Sequence, residues 1–337
     1  MAGMKSSAIW VDASEFSSRG GWELDTQFTY AVGAACLVAN GIGSPVADAH
    51  HQAPVTESGE YRVWVLARNW LPEYTPGTFR LRLSHYSSDA VLGLDRVFGA
   101  DGSGDWLWED GGVVRLERGR LILTLSDQTG WYGRCGAILL TTDPAYRPPS
   151  GADAMFRERE RIKGWARAAA HERADLLVAG AGIAGVCAAV AAARLGLRVT
   201  LLQDRGVVGG NASSECCVSL NGAAPRFDHA RAGGIVEEIA RERHARNEYG
   251  WSGACRALIE AEPTLDLHLH QRVIGVEQRE DRSIEAVLTV DPVTGRRDRF
   301  GADAFVDATG DGWLGYHAGA EFRQGREARR VAGAGDG

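Results

Sequence analysis

The spacing of apolar and polar residues changes near position 150. Upstream, from Ala8 to Thr142, apolar positions alternate over short runs broken by Gly, Pro, Asn and Asp, which is the period of half-buried strands. In residues 61–68, Tyr61, Val63, Val65 and Ala67 fall on one face and Arg62, Trp64, Leu66 and Arg68 on the other. Residues 79–84 alternate in the same way, and 120–125 and 137–142 read as two more strands. Several such strands at turn-punctuated spacing predict an all-β sandwich, jelly-roll-like, over residues 1–145.

Downstream the period lengthens. Tyr146-Arg-Pro-Pro-Ser-Gly151 reads as a linker and 152–173 as a polar, Arg-rich helix, so 146–173 form a connecting segment. From Asp175 the order is strand, glycine turn, alanine-rich helix and a second strand at 198–202; 233–246 follow as an amphipathic helix with Ile235, Ile239 and Ala240 on one side. Residues 265–305 alternate again, with turns at Asp281 and Val293-Thr-Gly295, as a β-meander inserted into a parallel fold would. The fold class is therefore multidomain, a sandwich followed by an α/β unit over 174–328, and 329–337 have the composition of a disordered tail.

Composition narrows the function. With 337 residues, 45% hydrophobic and 24% charged, there is material for two cores. The net charge of -7 leaves no basic face for a polyphosphate, so nucleic acid is not expected as a partner. The six cysteines show neither C-x-x-C nor metal-ligand spacing, which fits a reducing compartment. The longest apolar stretch, 186–202, is interrupted by Arg194 and Arg198, so no membrane span is expected and the chain reads as cytoplasmic.

Seven of the ten tryptophans (Trp10, Trp22, Trp64, Trp70, Trp106, Trp108 and Trp131) lie in the β region. Most are expected in the core, where large rings contribute most. Trp106 and Trp108 share a face beside Asp105 and Glu109, and are the pair best placed to form a sugar-binding platform.

The clearest chemistry lies in Gly180-Ala-Gly182-Ile183-Ala184-Gly185, set between strand and helix. This G-x-G-x-x-G spacing supplies a tight turn, a close backbone approach to a diphosphate and close helix packing, with the anion on the helix N-terminus. An acid for the ribose hydroxyls is expected about 20 residues on. Gln203 stands in line and Asp204 follows; an amide oxygen accepts more weakly than a carboxylate. Arg205 is close enough to keep a 2′-phosphate open. The turn alone leaves both FAD and NAD possible.

Two later segments discriminate. Gly209-Gly-Asn-Ala-Ser-Ser-Glu215, Val306-Asp-Ala-Thr-Gly-Asp-Gly-Trp-Leu-Gly-Tyr316 and Ala318-Gly-Ala-Glu-Phe-Arg-Gln-Gly-Arg326, taken with the first turn, resemble FAD-dependent oxidoreductases of the heterodisulfide reductase A-like kind. The resemblance covers roughly residues 174–328 and implies a two-dinucleotide-binding, Rossmann-type FAD domain. It implies that Gly180, Gly182, Ile183, Ala184 and Gly185 hold the diphosphate, and that Gln203 and Asp204 take the adenosine ribose. Gly209, Gly210 and Asn211 would lie on the flavin side, with Ala308, Thr309, Gly310 and Asp311 returning to the cofactor. Asp311 would accept from a ribityl or ribose hydroxyl; as a plain residue pattern it reads equally as the N-cap of a helix over 313–318.

Relatives can carry a 4Fe-4S cluster, but adjacent Cys216 and Cys217 do not provide its spacing. The implied activity is hydride transfer to flavin from a small-molecule or carbohydrate substrate, then reoxidation by an unidentified acceptor. Glu215, Arg226 and His229 are the candidates for proton transfer or substrate contact. Because family members continue beyond the position of Gly337, an incomplete catalytic pocket is expected. The readings kept beside this one are an NAD-linked dehydrogenase and a carbohydrate-binding protein with an inactive flavoprotein domain; the oligomeric state is left open.

Overall fold

Residues 61–68 lie within the strand Gly59–Arg68, and both of its faces are used. Tyr61, Val63, Val65 and Ala67 are almost wholly buried in the main core of the N-terminal region, while Trp64 and Leu66 are buried in a second cluster on the opposite face. The computed structural model describes residues 7–325 apart from 72, 75, 87–90, 93, 95, 166, 167, 221–232, 248 and 324. The chain divides into two compact units. One comprises Met1–Ala169 with His270–Arg272 and Val290–Asp298; the other comprises Ala170–Leu269, Val273–Thr289 and Arg299–Gly337.

In the first unit, a sheet ordered Trp22–Asp25, Cys36–Asn40, Trp131–Thr141, Gly59–Arg68 and Trp106–Leu116 shares its core with a second sheet. The second sheet is ordered Ala49–Val55, Gly119–Asp127, Phe79–His85 and Val97–Phe98. Leu37, Val63, Val65 and Ile138 from one sheet and Leu81, Leu83, Leu121, Leu123 and Leu125 from the other form that core, so the unit is a β-sandwich. The strand expected over 120–125 extends to Gly119–Asp127, because Gly119 and Asp127 complete its register with the neighbouring strands.

The outer face of the larger sheet carries Trp10, Trp64, Leu66 and Leu139, and the helix Ala152–Lys163 supplies Met155 to the same cluster. This helix is shorter than the 152–173 expected from sequence. Gly164 adopts the left-handed conformation at φ 63° and its N–H bonds to Glu160 O, which ends the helix in the manner glycine favours. Its buried Arg159 donates to Asp12 Oδ1 at 2.9 Å and to the carbonyls of Gly33 and Val32 at 3.2 and 2.9 Å.

In the second unit Leu265–His268, Val199–Leu202, Ala174–Ala179 and the part of the strand Arg297–Asp307 from Arg299 onward are adjacent and parallel. The sheet continues through Ile284–Val290 to Arg272–Gln278. The meander thus begins at Arg272; Leu265–His268, grouped with it by alternation, is instead the outermost parallel strand. The helix Ser252–Glu260 leads into that strand, and its Ala254, Cys255, Leu258 and Ile259 pack beside Val199 and Leu201. The helices Ile183–Arg194 and Gly234–Arg246 contribute Val186, Ala189, Val190 and Ile239 to the same cluster. No helix among the described residues is long and apolar enough to cross a membrane.

Candidate cofactor site

The strand Ala174–Ala179 delivers the chain into the glycine turn at the carboxyl end of the parallel strands, where ligands of open α/β sheets bind. The three motif glycines meet different surroundings. A Cβ on Gly180 would lie 2.3 Å from Ala308 O, and one on Gly185 would lie 1.8 Å from Gly180 O, so neither position has room for a side chain. Around Gly182 the nearest such atom is Gly210 Cα at 3.9 Å. Gly180 and Gly185 therefore close the backbone, while Gly182 leaves a space in front of the helix.

That space has a wall. Gly182 and Gly209 form a short parallel bridge, and Gly209 N donates to Ala181 O at 2.8 Å. Gly209 and Gly210 both have positive φ, 108° and 59°, conformations that favour residues without a Cβ. The helix Ile183–Arg194 starts at Gly182 with no side-chain cap, leaving first-turn N–H groups for an anion. Ile183 is half-buried and Ala184 is exposed at this end. A diphosphate fits the cradle through backbone donors and the absence of Cβ atoms.

The structure gives Gln203 a different role from the ribose contact expected of it. It is 4% exposed; its Oε1 accepts from Ala181 N at 2.9 Å and its Nε2 donates to Val207 O at 2.9 Å. The side chain ties the glycine turn to the segment leading to Gly209. Asp204 is exposed beside it, next to Arg205. Asn211 lies exposed in the short turn Gly210–Ala212 and its carbonyl accepts from Val218 N at 2.9 Å.

The segment after Arg297–Asp307 is organised by a residue that sequence reasoning passes over. Asp307 Oδ1 accepts from Thr309 N at 3.1 Å and Thr309 Oγ1 at 2.7 Å, and its Oδ2 accepts from Gly315 N at 2.9 Å. Desolvation raises the Asp307 pKa, but these donors and the Leu314 N–H outweigh it and hold the carboxyl below its ordinary value. Thr309 Oγ1 also accepts from Trp313 N at 3.0 Å. The N-cap of Trp313–His317 is Gly312, so the capping alternative for Asp311 does not hold; Asp311 is exposed next to Gly310. An Asp two residues before Thr, the spacing of an Asx turn, is the available signal for Asp307. Ala308 N donates to Ala179 O at 2.7 Å, which brings this loop against the glycine turn.

The catalytic candidates fare differently. Glu215 pairs with Arg205 at 2.8 Å. Arg226 and His229 lie outside the described residues. Among the described residues no group of three His, Cys, Asp or Glu side chains is placed to hold a metal ion.

Residues 175–334 match the family model described as FAD dependent oxidoreductase. The chain thus carries an FAD-dependent oxidoreductase domain, and FAD is its cofactor. No curated protein matches the sequence. Among solved structures, similarity is found to the C-terminal CBM6 of a marine laminarinase from Zobellia galactanivorans, at 15% identity and TM-score 0.30 over 40% of this chain and 99% of that one. L-proline dehydrogenase from P. horikoshii matches at 17% identity and TM-score 0.28, over 43% of this chain and 24% of that one. A 3-ketosteroid dehydrogenase from Rhodococcus jostii RHA1 matches at 18% identity and TM-score 0.27, over 42% and 48%. The chain therefore spans less than half the length of either of these two dehydrogenases.

Proposed function

We propose that the chain oxidises a carbohydrate-related substrate by hydride transfer to FAD, the electrons then leaving to a separate acceptor. The observation that carries the flavin half is the meeting of three glycine-bearing segments, Gly180–Gly185, Gly209–Gly210 and Ala308–Gly312, at one turn, with Gly209 bridged to Gly182 and Ala308 packed on Gly180 and Gly185. FAD, when bound, supplies the two-electron acceptor. The chain's own contribution is to bind and orient it. Gly180 and Gly185 fix the turn, Gly182 and the N–H groups of Ile183, Ala184 and Gly185 take the diphosphate, and Asp204 accepts from the ribose. Gly209, Gly210 and Asn211 line the flavin side, and Ala308, Thr309, Gly310 and Asp311 close it. This is a Rossmann-type, two-dinucleotide-binding assignment, and the order of its segments supports the resemblance to heterodisulfide reductase A-like flavoproteins. The purified chain is expected to show the visible bands of oxidised flavin, or to acquire them with added FAD. A colourless protein that takes up no FAD overturns the reading, and quenching of NADH fluorescence in its place favours the NAD-linked alternative.

The carbohydrate half rests on the first unit. A cavity of about 430 Å³ is lined by Tyr30, Leu66, Arg68, Asp105, Trp106 and Trp108 among others, within the size range of small-ligand sites. Trp106 Nε1 and Arg68 Nε are buried without a protein partner, whereas Trp108 Nε1 donates to Pro149 O at 3.1 Å. Aromatic faces with an adjacent guanidinium and carboxylate suit a pyranose, whose ring faces are apolar and whose rim is hydroxyls. Trp106→Ala should weaken glycan binding about tenfold or more, the scale of one aromatic anchor, as read on a glycan array and by calorimetry with the best glycan. Absence of any glycan binding by the unaltered chain removes the carbohydrate half and leaves the flavin half standing.

A further inference from the structure

We infer that Glu215 makes the adenosine end of this site selective for an unphosphorylated ribose, by holding Arg205. The inference rests on the FAD reading of the cradle and goes beyond it. In dinucleotide folds, the residues at the end of the second parallel strand meet the ribose: an acid accepts from its 2′-hydroxyl, and an arginine nearby accommodates a 2′-phosphate. Here that strand is Val199–Leu202, and Gln203, Asp204 and Arg205 follow it. Gln203 is neutral and its amide is spent on backbone hydrogen bonds, so the polar side chains left at the ribose end are those of its two neighbours.

Arg205 is the cation that would take a phosphate, and two carboxylates already face it. Its Nη1 lies 2.8 Å from Glu215 Oε2, and its Nε lies 3.8 Å from Asp204 Oδ1. Asp204, Arg205 and Glu215 together carry a net charge of -1, which disfavours a dianionic group and leaves Asp204 as acceptor for a hydroxyl. Glu215 is not placed there by a loose loop. Ser213 is fully buried, Ser214 N donates to Ser252 Oγ at 2.9 Å, and Trp251 N donates to Ala212 O at 3.0 Å, so the segment from the glycine pair to Glu215 is tied down. Because the Arg205–Glu215 pair is partly exposed, little holds it beyond the two charges, and neutralising Glu215 releases the guanidinium.

The test uses the full chain freed of flavin, with ADP and 2′-phospho-ADP as competitors of FAD uptake. The unaltered chain should bind ADP in preference to 2′-phospho-ADP. E215Q should narrow that preference by about tenfold, the value of one charge-assisted contact to phosphate. Adding Arg205→Gln to E215Q should restore the preference, which a general loosening of the segment would not do. An E215Q chain that discriminates as the unaltered one does, or a double variant that leaves the preference narrowed, overturns the inference. Failure of both nucleotides to compete with FAD in the unaltered chain instead overturns the assignment of this cradle to the ADP part of FAD.

Discussion

Arg159→Ala should destabilise the first unit by about 3–5 kcal/mol, the usual cost of removing one partner from a buried ion pair. Asp12 and Arg159 are both fully buried, at the end of the strand Ala8–Asp12 and inside the helix Ala152–Lys163. Asp12 Oδ1 accepts from Arg159 Nε at 2.9 Å and from Trp10 Nε1 at 2.8 Å, and Lys163 Nζ lies 2.9 Å from Asp12 Oδ2. Without the guanidinium, Asp12 keeps only Lys163 as a cation, and the carbonyls of Val32 and Gly33 lose their donors. A thermal scan of the whole chain should show the transition of this unit moved down, and an unmoved transition would falsify the role given to Arg159.

The same cluster sets a pH dependence. Burial raises the Asp12 pKa, but Arg159 and Lys163, with the Trp10 hydrogen bond, outweigh it and hold the carboxyl below its ordinary value. A depressed folded-state pKa contributes stability that is present above the unfolded value, near 4, and is lost as pH falls through the folded value. The first unit should therefore lose stability below about pH 4. Asp12→Asn should flatten that part of the profile at a lower stability throughout.

Gly185→Val should abolish FAD uptake. A Cβ there would stand 1.8 Å from Gly180 O, and Gly180 cannot retreat because its own Cβ position is 2.3 Å from Ala308 O. Helix, turn and returning strand would all have to separate, and the cradle is made by their closeness. Circular dichroism separates this from global unfolding: Ala174–Ala179 and Val199–Leu202, paired in parallel in the unaltered chain, should keep their strand signal. Gly182→Ala is the sharper comparison. Its methyl meets nothing closer than Gly210 Cα at 3.9 Å, so the fold should persist while FAD binding weakens by the about 1–3 kcal/mol of an overpacked contact. Unchanged FAD affinity in Gly182→Ala would mean that the diphosphate does not pass this glycine.

Much of the architecture is legible in the sequence because it depends on short-range periodicity. Alternation over 61–68 and 79–84 marks strands wherever they pair, and an apolar strand running into G-x-G-x-x-G marks a turn whose conformation only glycine permits. The errors fall where local pattern is ambiguous. Leu265–His268 alternates like a meander strand, yet pairs in parallel with Val199–Leu202 because the helix Ser252–Glu260 carries the chain back to that edge. The helix after the linker reads too long in sequence because nothing in the composition of 165–173 announces the stop made by Gly164.

The candidate site divides in the same way. Sequence alone determines the glycines, since a missing Cβ is a property of the residue, and determines that an acid or amide stands at the end of the second strand. Only tertiary structure decides what those side chains do. Gln203 is drawn inward by Ala181 N and Val207 O, Glu215 turns to Arg205, and Asp307 rather than Asp311 holds the returning loop. The physical reason is that a backbone conformation is chosen among neighbours in sequence. A hydrogen bond or ion pair is chosen among whatever the folded chain brings within about 3 Å.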